Sequence, residues 1–181
     1  MHAYVLMMSR NTLQGNIELL RLLLDANSNT LLMNSDGDRA AMIAYKRGYQ
    51  EQAYLIGSKS IYQAIAESNL DAALELVDVG INVNTHNDIG TTPLLIAVCH
   101  GDLIHVRKLL AVPNIDVNLT ENDGWSPLFF AINYNHVEVV RLLLQHGANR
   151  YHVSKAGFTA DILASKSPEI KAILDYQYGL H

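Results

Sequence analysis

The chain has 181 residues, 49% of them apolar and 17% charged, with a formal net charge of -5. That balance excludes intrinsic disorder, and the scattered acidic excess excludes the basic footprint of a nucleic-acid or anionic-membrane binder. One cysteine, Cys99, excludes an internal disulfide and points to a reducing, cytoplasmic setting, whether of its own cell or of a host it enters as an effector.

The opening stretch Val5-Leu6-Met7-Met8 is apolar, but Ser9-Arg10-Asn11 interrupts it far short of a bilayer span, so no membrane helix is predicted. Without a basic lead or a small-residue cleavage site it does not read as a signal peptide. It is expected to pack on the next helix and, as an uncapped end, to allow weak self-association. The helix predicted next, ending Arg21-Leu22-Leu23-Leu24, follows Gly15, with Asn16 as its cap and Glu18 in its first turn. A second reversal is expected at Gly48. After it Gly57-Ser58-Lys59-Ser60 joins one helix to another with no turn-rich segment between them.

From Ser68 onward a short pattern recurs. Asn69 and Asp102 each cap a helix that is apolar at helical spacing, ending Leu76-Val77 and Leu109-Leu110, and the third copy ends Leu142-Leu143-Leu144. Upstream of two copies stands a shared block. Gly90 and Gly124 supply the tight turn, Thr92 and Ser126 the N-cap, and Pro93 and Pro127 the first helical position, where a missing N–H costs nothing. Gly157 to Ala164 is a weaker version. Each inner helix closes at Gly101 or Asn135, residue types that tolerate a left-handed conformation.

These residues resemble the ankyrin-repeat family, whose motif runs Gly-x-Thr-Pro-Leu-His-x-Ala, then Gly, then an apolar helix ending Leu-Leu, then Gly-Ala. Gly90–Asn118 and Gly124–Asn149 match it best. The resemblance implies an all-α repeat solenoid of about six helix-turn-helix units with short β-hairpin fingers, some degenerate. The units run over residues 1–30, 31–57, 58–84, 85–118, 119–150 and 151–178. Gly15 to Gly48 and Ser68 to Gly101 each span 33 residues, the family's period. Gly48 to Ser68 spans only 20, so one finger is missing there. Two divisions follow, degenerate N-terminal units over 1–57 and the main array with its C-terminal cap over 58–181, read as one continuous solenoid with a seam. The family's His after Thr-Pro-Leu is Leu95 in one unit and Phe129 in the next, which trades a polar network for buried apolar surface. Asn84 and Asn118, which close two units, resemble asparagines that hydroxylases modify in eukaryotic ankyrin proteins, but read more simply as turn caps.

Family members bind partner proteins with the finger tips and the inner-helix face, so the resemblance places a candidate surface here. On it fall Asp88 and Ile89, then His100, then Asp123 and Trp125, then Asn133 and Tyr134, and finally Lys155 and Phe158. Trp125, the only tryptophan, is expected to anchor an aromatic patch with Tyr134 and Phe158, rimmed by Asp88 and Asp123 and suited to a basic or mixed peptide. Cys99, His100, His105, His136 and His146 show no zinc-ligand spacing, and neither a hydrolase elbow nor a phosphate loop occurs, so metal, cofactor, small-molecule substrate and catalysis are all unexpected. The function expected is a non-catalytic protein-interaction scaffold. The alternative is a docking or inhibitory domain of a larger enzyme or a bacterial effector.

Overall fold

The computed structural model describes residues 29–34 and 36–176. Expectations for Val5–Met8, Gly15, Asn16, Glu18 and self-association through the first helix lie outside those residues. The described part is all-α, with helices in stacked pairs. The chain divides into two compact units, Met1–Asn82 and Val83–His181.

The first unit holds α1 (Ala40–Lys46), α2 (Gln50–Ala66) and α3 (Leu70–Asp78). Helix α2 runs through Gly57-Ser58-Lys59-Ser60 without a break and packs on α1 and α3. One 17-residue helix thus serves both neighbours, which is the physical form of the missing finger. No proline or turn cluster interrupts it, and Ser60 turns its hydroxyl back to the Ile56 carbonyl at 2.8 Å instead of competing for the backbone. Gly57 is buried under Ile81, whose side chain occupies the space a Cβ would need. Arg39, only 5% exposed, donates to Glu75 at 2.7 Å and to the Leu31 carbonyl, tying the chain before α1 to α3.

The second unit holds α4 (Pro93–Cys99), α5 (Leu103–Leu110), α6 (Pro127–Asn133), α7 (Val137–Gln145), α8 (Ala160–Ala164) and α9 (Pro168–Tyr176). Inner helices α4, α6 and α8 pack in sequence, as do outer helices α5, α7 and α9. Local chemistry sets each start. Thr92, Ser126 and Thr159 accept from the backbone N–H three residues on, and Asn69 and Asp102 do the same for α3 and α5. Inner helices α4 and α6 each then stop in one left-handed residue, Gly101 and Asn135, whereas α8 closes at Ser165 in right-handed conformation. Leu95 and Phe129, standing where the family keeps His, are buried in the core at 1% and 0% exposure.

The turns before the inner helices share one pattern. Asn34, Asn87, Glu121 and Ser154 each donate their N–H to the carbonyl four residues ahead. Among the described residues one antiparallel bridge, Met33 with Arg39, flanks these turns. In the second unit successive turns are bonded edge to edge, Asn122 N–H to the Ile89 carbonyl at 3.1 Å and Lys155 N–H to the Asp123 carbonyl at 3.2 Å. Asn84 and Asn118, expected as local turn caps, instead reach across to the next repeat. Asn84 donates to the Asn114 carbonyl at 2.8 Å and accepts from Asp116 N–H at 2.9 Å, while Asn118 donates to the Gly147 carbonyl and accepts from Asn149 N–H at 2.8 Å. Both amide ends are engaged, so these asparagines staple repeats together.

Candidate functional site

Trp125 leads out of its turn into the Ser126 cap, which fixes its backbone and leaves the ring half-buried against three phenylalanines. Ring centroids lie 6.2 Å from Phe129, 5.3 Å from Phe130 and 5.7 Å from Phe158. Phe130 in turn stacks on Tyr134 at 6.3 Å. The structure therefore joins Phe158, Trp125 and Tyr134 into one aromatic band, with Phe130 as the link that sequence reasoning missed. Its signal was available, because Phe130 stands four residues before Tyr134 on one helix face. Tyr134 is 51% exposed and Phe158 38%, so the band presents surface as well as packing.

Trp125 and Phe158 also line a groove of about 710 Å³ with Ile132, Asn133, Ile162, Leu163 and Lys166. Ile162, 54% exposed and four residues beyond Phe158, is a second residue the sequence reading passed over. Of the other expected site residues, Asp88, Ile89 and Asp123 are exposed on successive finger turns, and Lys155 is exposed on the next. His100 is exposed at the end of α4, outside this groove. Another groove of about 700 Å³ lies on the outer-helix side between Arg141, Gln145, Ile173 and Tyr176, away from every expected site residue.

Two histidines supply polar links between repeats that Leu95 and Phe129 cannot make. His152 Nε2 lies 2.8 Å from the Gly124 carbonyl while its ring packs on Phe129 at 5.4 Å, and His136 Nε2 lies 3.3 Å from the Cys99 carbonyl. Cys99 is half-buried, and burial pushes its thiol upward, opposite to the direction a nucleophile needs. At the start of α5, the His105 backbone N–H, helped by its ring 2.7 Å away, holds Asp102 below the usual carboxylate range. No helix among the described residues is long and apolar enough to cross a membrane.

Helix pairs stacked inner on inner and outer on outer, joined by closed turns, define a helical-repeat protein whose repeats are held together by neighbour contacts. The family model described as ankyrin repeats (3 copies) matches residues 61–155 and 104–176, and the chain belongs to the ankyrin-repeat family. It is similar to the human SMC5-SMC6 complex localization factor protein 1, 30% identical over 156 residues, 78% of this chain and 15% of that protein. The protein of the same name in Bos taurus is 36% identical over 95 residues, 51% of this chain and 9% of that one. The 2-5A-dependent ribonuclease of Mus musculus is 40% identical over 72 residues, 39% of this chain and 10% of the ribonuclease. The chain thus spans a small fraction of the length of the relatives it matches. Ankyrin repeats are a protein-interaction domain, and that much holds for this chain.

Proposed function

We propose that this chain is a non-catalytic scaffold of about six units that holds a partner protein on its finger turns and inner-helix face, with the Trp125 band as anchor. The observation that carries this reading is the band itself. Aromatic rings are costly to leave in water unless another surface covers them, and Trp and Tyr dominate interface hot spots because they bury large areas with little side-chain entropy to lose. The likeness to a ribonuclease and to a localization factor over short stretches supports the non-catalytic part, since proteins of such different names share the repeats. Their much greater length favours a second reading, in which such an array serves as a docking domain of a larger enzyme or effector. A cytoplasmic partner suits the lone, half-buried thiol of Cys99.

The test is affinity capture from a cytosolic lysate with the wild type and with the Trp125→Ala/Tyr134→Ala variant, after circular dichroism has established that both fold. A partner held by the first and lost by the second supports the reading. Equal retention moves the site away from the band, and measurable turnover of any substrate class by the isolated chain overturns the non-catalytic assignment.

A further inference from the structure

The four finger turns solve the same local problem with unequal chemistry. Each needs an acceptor for backbone N–H groups at its tip. Asn34 takes those of Asp36 and Asp38 on its Oδ1 at 3.0 and 2.8 Å, Asn87 takes those of Ile89 and Thr91 at 3.2 and 2.9 Å, and the Ser154 hydroxyl takes that of Phe158 at 3.0 Å. At the same position the third turn carries Glu121, which accepts from Asp123 N–H at 2.8 Å on one oxygen and from Trp125 N–H at 2.9 Å on the other. One neutral oxygen suffices in the sister turns, so the fold does not require the negative charge on Glu121. That charge stands at the turn bearing the only tryptophan.

It is not alone. Asp123 is exposed on the same turn, and Asp88 is exposed on the adjoining one, bonded edge to edge through Asn122 Nδ2 on its carbonyl at 2.9 Å. Among the described residues, none of Glu121, Asp123 and Asp88 forms an ion pair. Against these three carboxylates the neighbouring turn sets one cation, Lys155. An indole face beside fixed negative charge attracts a cation twice, through the ring quadrupole and through the carboxylates. The same indole lines the groove whose apolar side chains include Phe158, Ile162 and Leu163 and whose charged ones, Lys166 and Glu169, offset each other.

We propose that the partner presents a basic and apolar segment, an arginine or lysine side chain held at Trp125 between Glu121 and Asp123, with an adjoining apolar side chain seated in the groove against Phe158 and Ile162. This rests on the reading of the inner-helix face as the binding surface, and adds to the basic or mixed peptide expected from the sequence the Glu121 charge and the seat of each side chain. An acidic or phosphorylated segment is repelled by the same three carboxylates.

The experiment selects from a phage-displayed library of random dodecapeptides on the folded chain. Winning peptides are synthesised and titrated calorimetrically against the wild type, Trp125→Ala, and the double variant Glu121→Asn/Asp123→Asn. Asparagine at position 121 copies Asn34 and Asn87, so the turn keeps its acceptor while the charge goes. Expected are peptides with Arg or Lys within a few residues of Leu, Phe, Ile or Met, lost on Trp125→Ala. The double variant should weaken them about tenfold at low salt, a gap that closes in 0.5 M NaCl. Peptides that need Trp125 but lack basic residues, or that bind the double variant undiminished, overturn the inference and leave the scaffold reading standing. A selection that returns no Trp125-dependent peptide also overturns it, and the capture experiment then decides separately whether the scaffold reading survives.

Discussion

Gly90 and Gly157 occupy matching turn positions with the same φ of +81°, yet differ in what a methyl group would strike. At Gly157 an added Cβ meets nothing within 4 Å, so Gly157→Ala carries only the left-handed backbone cost of about 1–2 kcal/mol. At Gly90 the Cβ would stand 2.7 Å from the Glu121 Cα, a backbone atom that cannot swing aside. The adjoining turn has to move, which strains the bonds of Asn122 to the Ile89 carbonyl at 3.1 Å and to the Asp88 carbonyl at 2.9 Å. Each is partly solvated and contributes about 0.5–1 kcal/mol, so Gly90→Ala should cost a further 1–2 kcal/mol or so beyond Gly157→Ala. At about 2–4 °C per kcal/mol for a chain of this size, the extra loss in Tm is roughly 2–8 °C. Urea and thermal unfolding of the two variants, followed by far-ultraviolet circular dichroism, measure the difference. Trp125 fluorescence serves as a local reporter, because repeat arrays can open one end before the other. Equal losses in the two variants would refute the reading that the Gly90 turn packs directly on the Glu121 turn and is held by the Asn122 bonds.

Three further outcomes are expected. Arg150, 6% exposed, donates to Asp161 at 2.8 Å and to the Leu174 carbonyl; Asp161 is itself over half exposed, so its ion pair adds little and Arg150→Met should cost about 1–3 kcal/mol through the stranded carbonyl. Hydrogen exchange should then show α8 and α9 opening while α4 to α7 stay protected. Asn118→Ala removes both bonds of a staple and should cost about 1–2 kcal/mol in urea unfolding, whereas a residue acting as a local cap would leave the Gly147–Asn149 amides unaffected in exchange. Asp102 is held low by the His105 backbone N–H and ring, so its contribution is present at neutral pH, above the unfolded carboxylate's value, and is lost as pH falls through the depressed folded value. Unfolding curves for the wild type should therefore lose more stability between about pH 5 and pH 2 than those of Asp102→Asn, which keeps the cap acceptor without the titrating group; parallel curves would remove Asp102 from the account.

Much of the fold was legible because its punctuation is local. Thr92-Pro93 and Ser126-Pro127 start helices, Asn69 and Asp102 cap them, and Gly101 and Asn135 stop them, each through contacts that close within a few residues. The short interval between Gly48 and Ser68 likewise announced the missing finger, since a turn cannot form without the residues that make it. The aromatic patch was half legible: Trp125 and Phe158 share an offset in the repeat, which predicts adjacency once repeats stack.

What only the tertiary structure decided lies at separations of about one repeat, where partners depend on how repeats stack and not on the order of neighbouring residues. Asn84 and Asn118 looked like turn residues, and became staples only when the next loop arrived beside them. Arg39 and Arg150 were ordinary charges in sequence, and are buried because each reaches a carbonyl supplied from elsewhere in the chain. Sequence sets which local structures form, since their hydrogen bonds close within a turn. Stacking decides which side chains meet, since that depends on surfaces brought together some thirty residues apart.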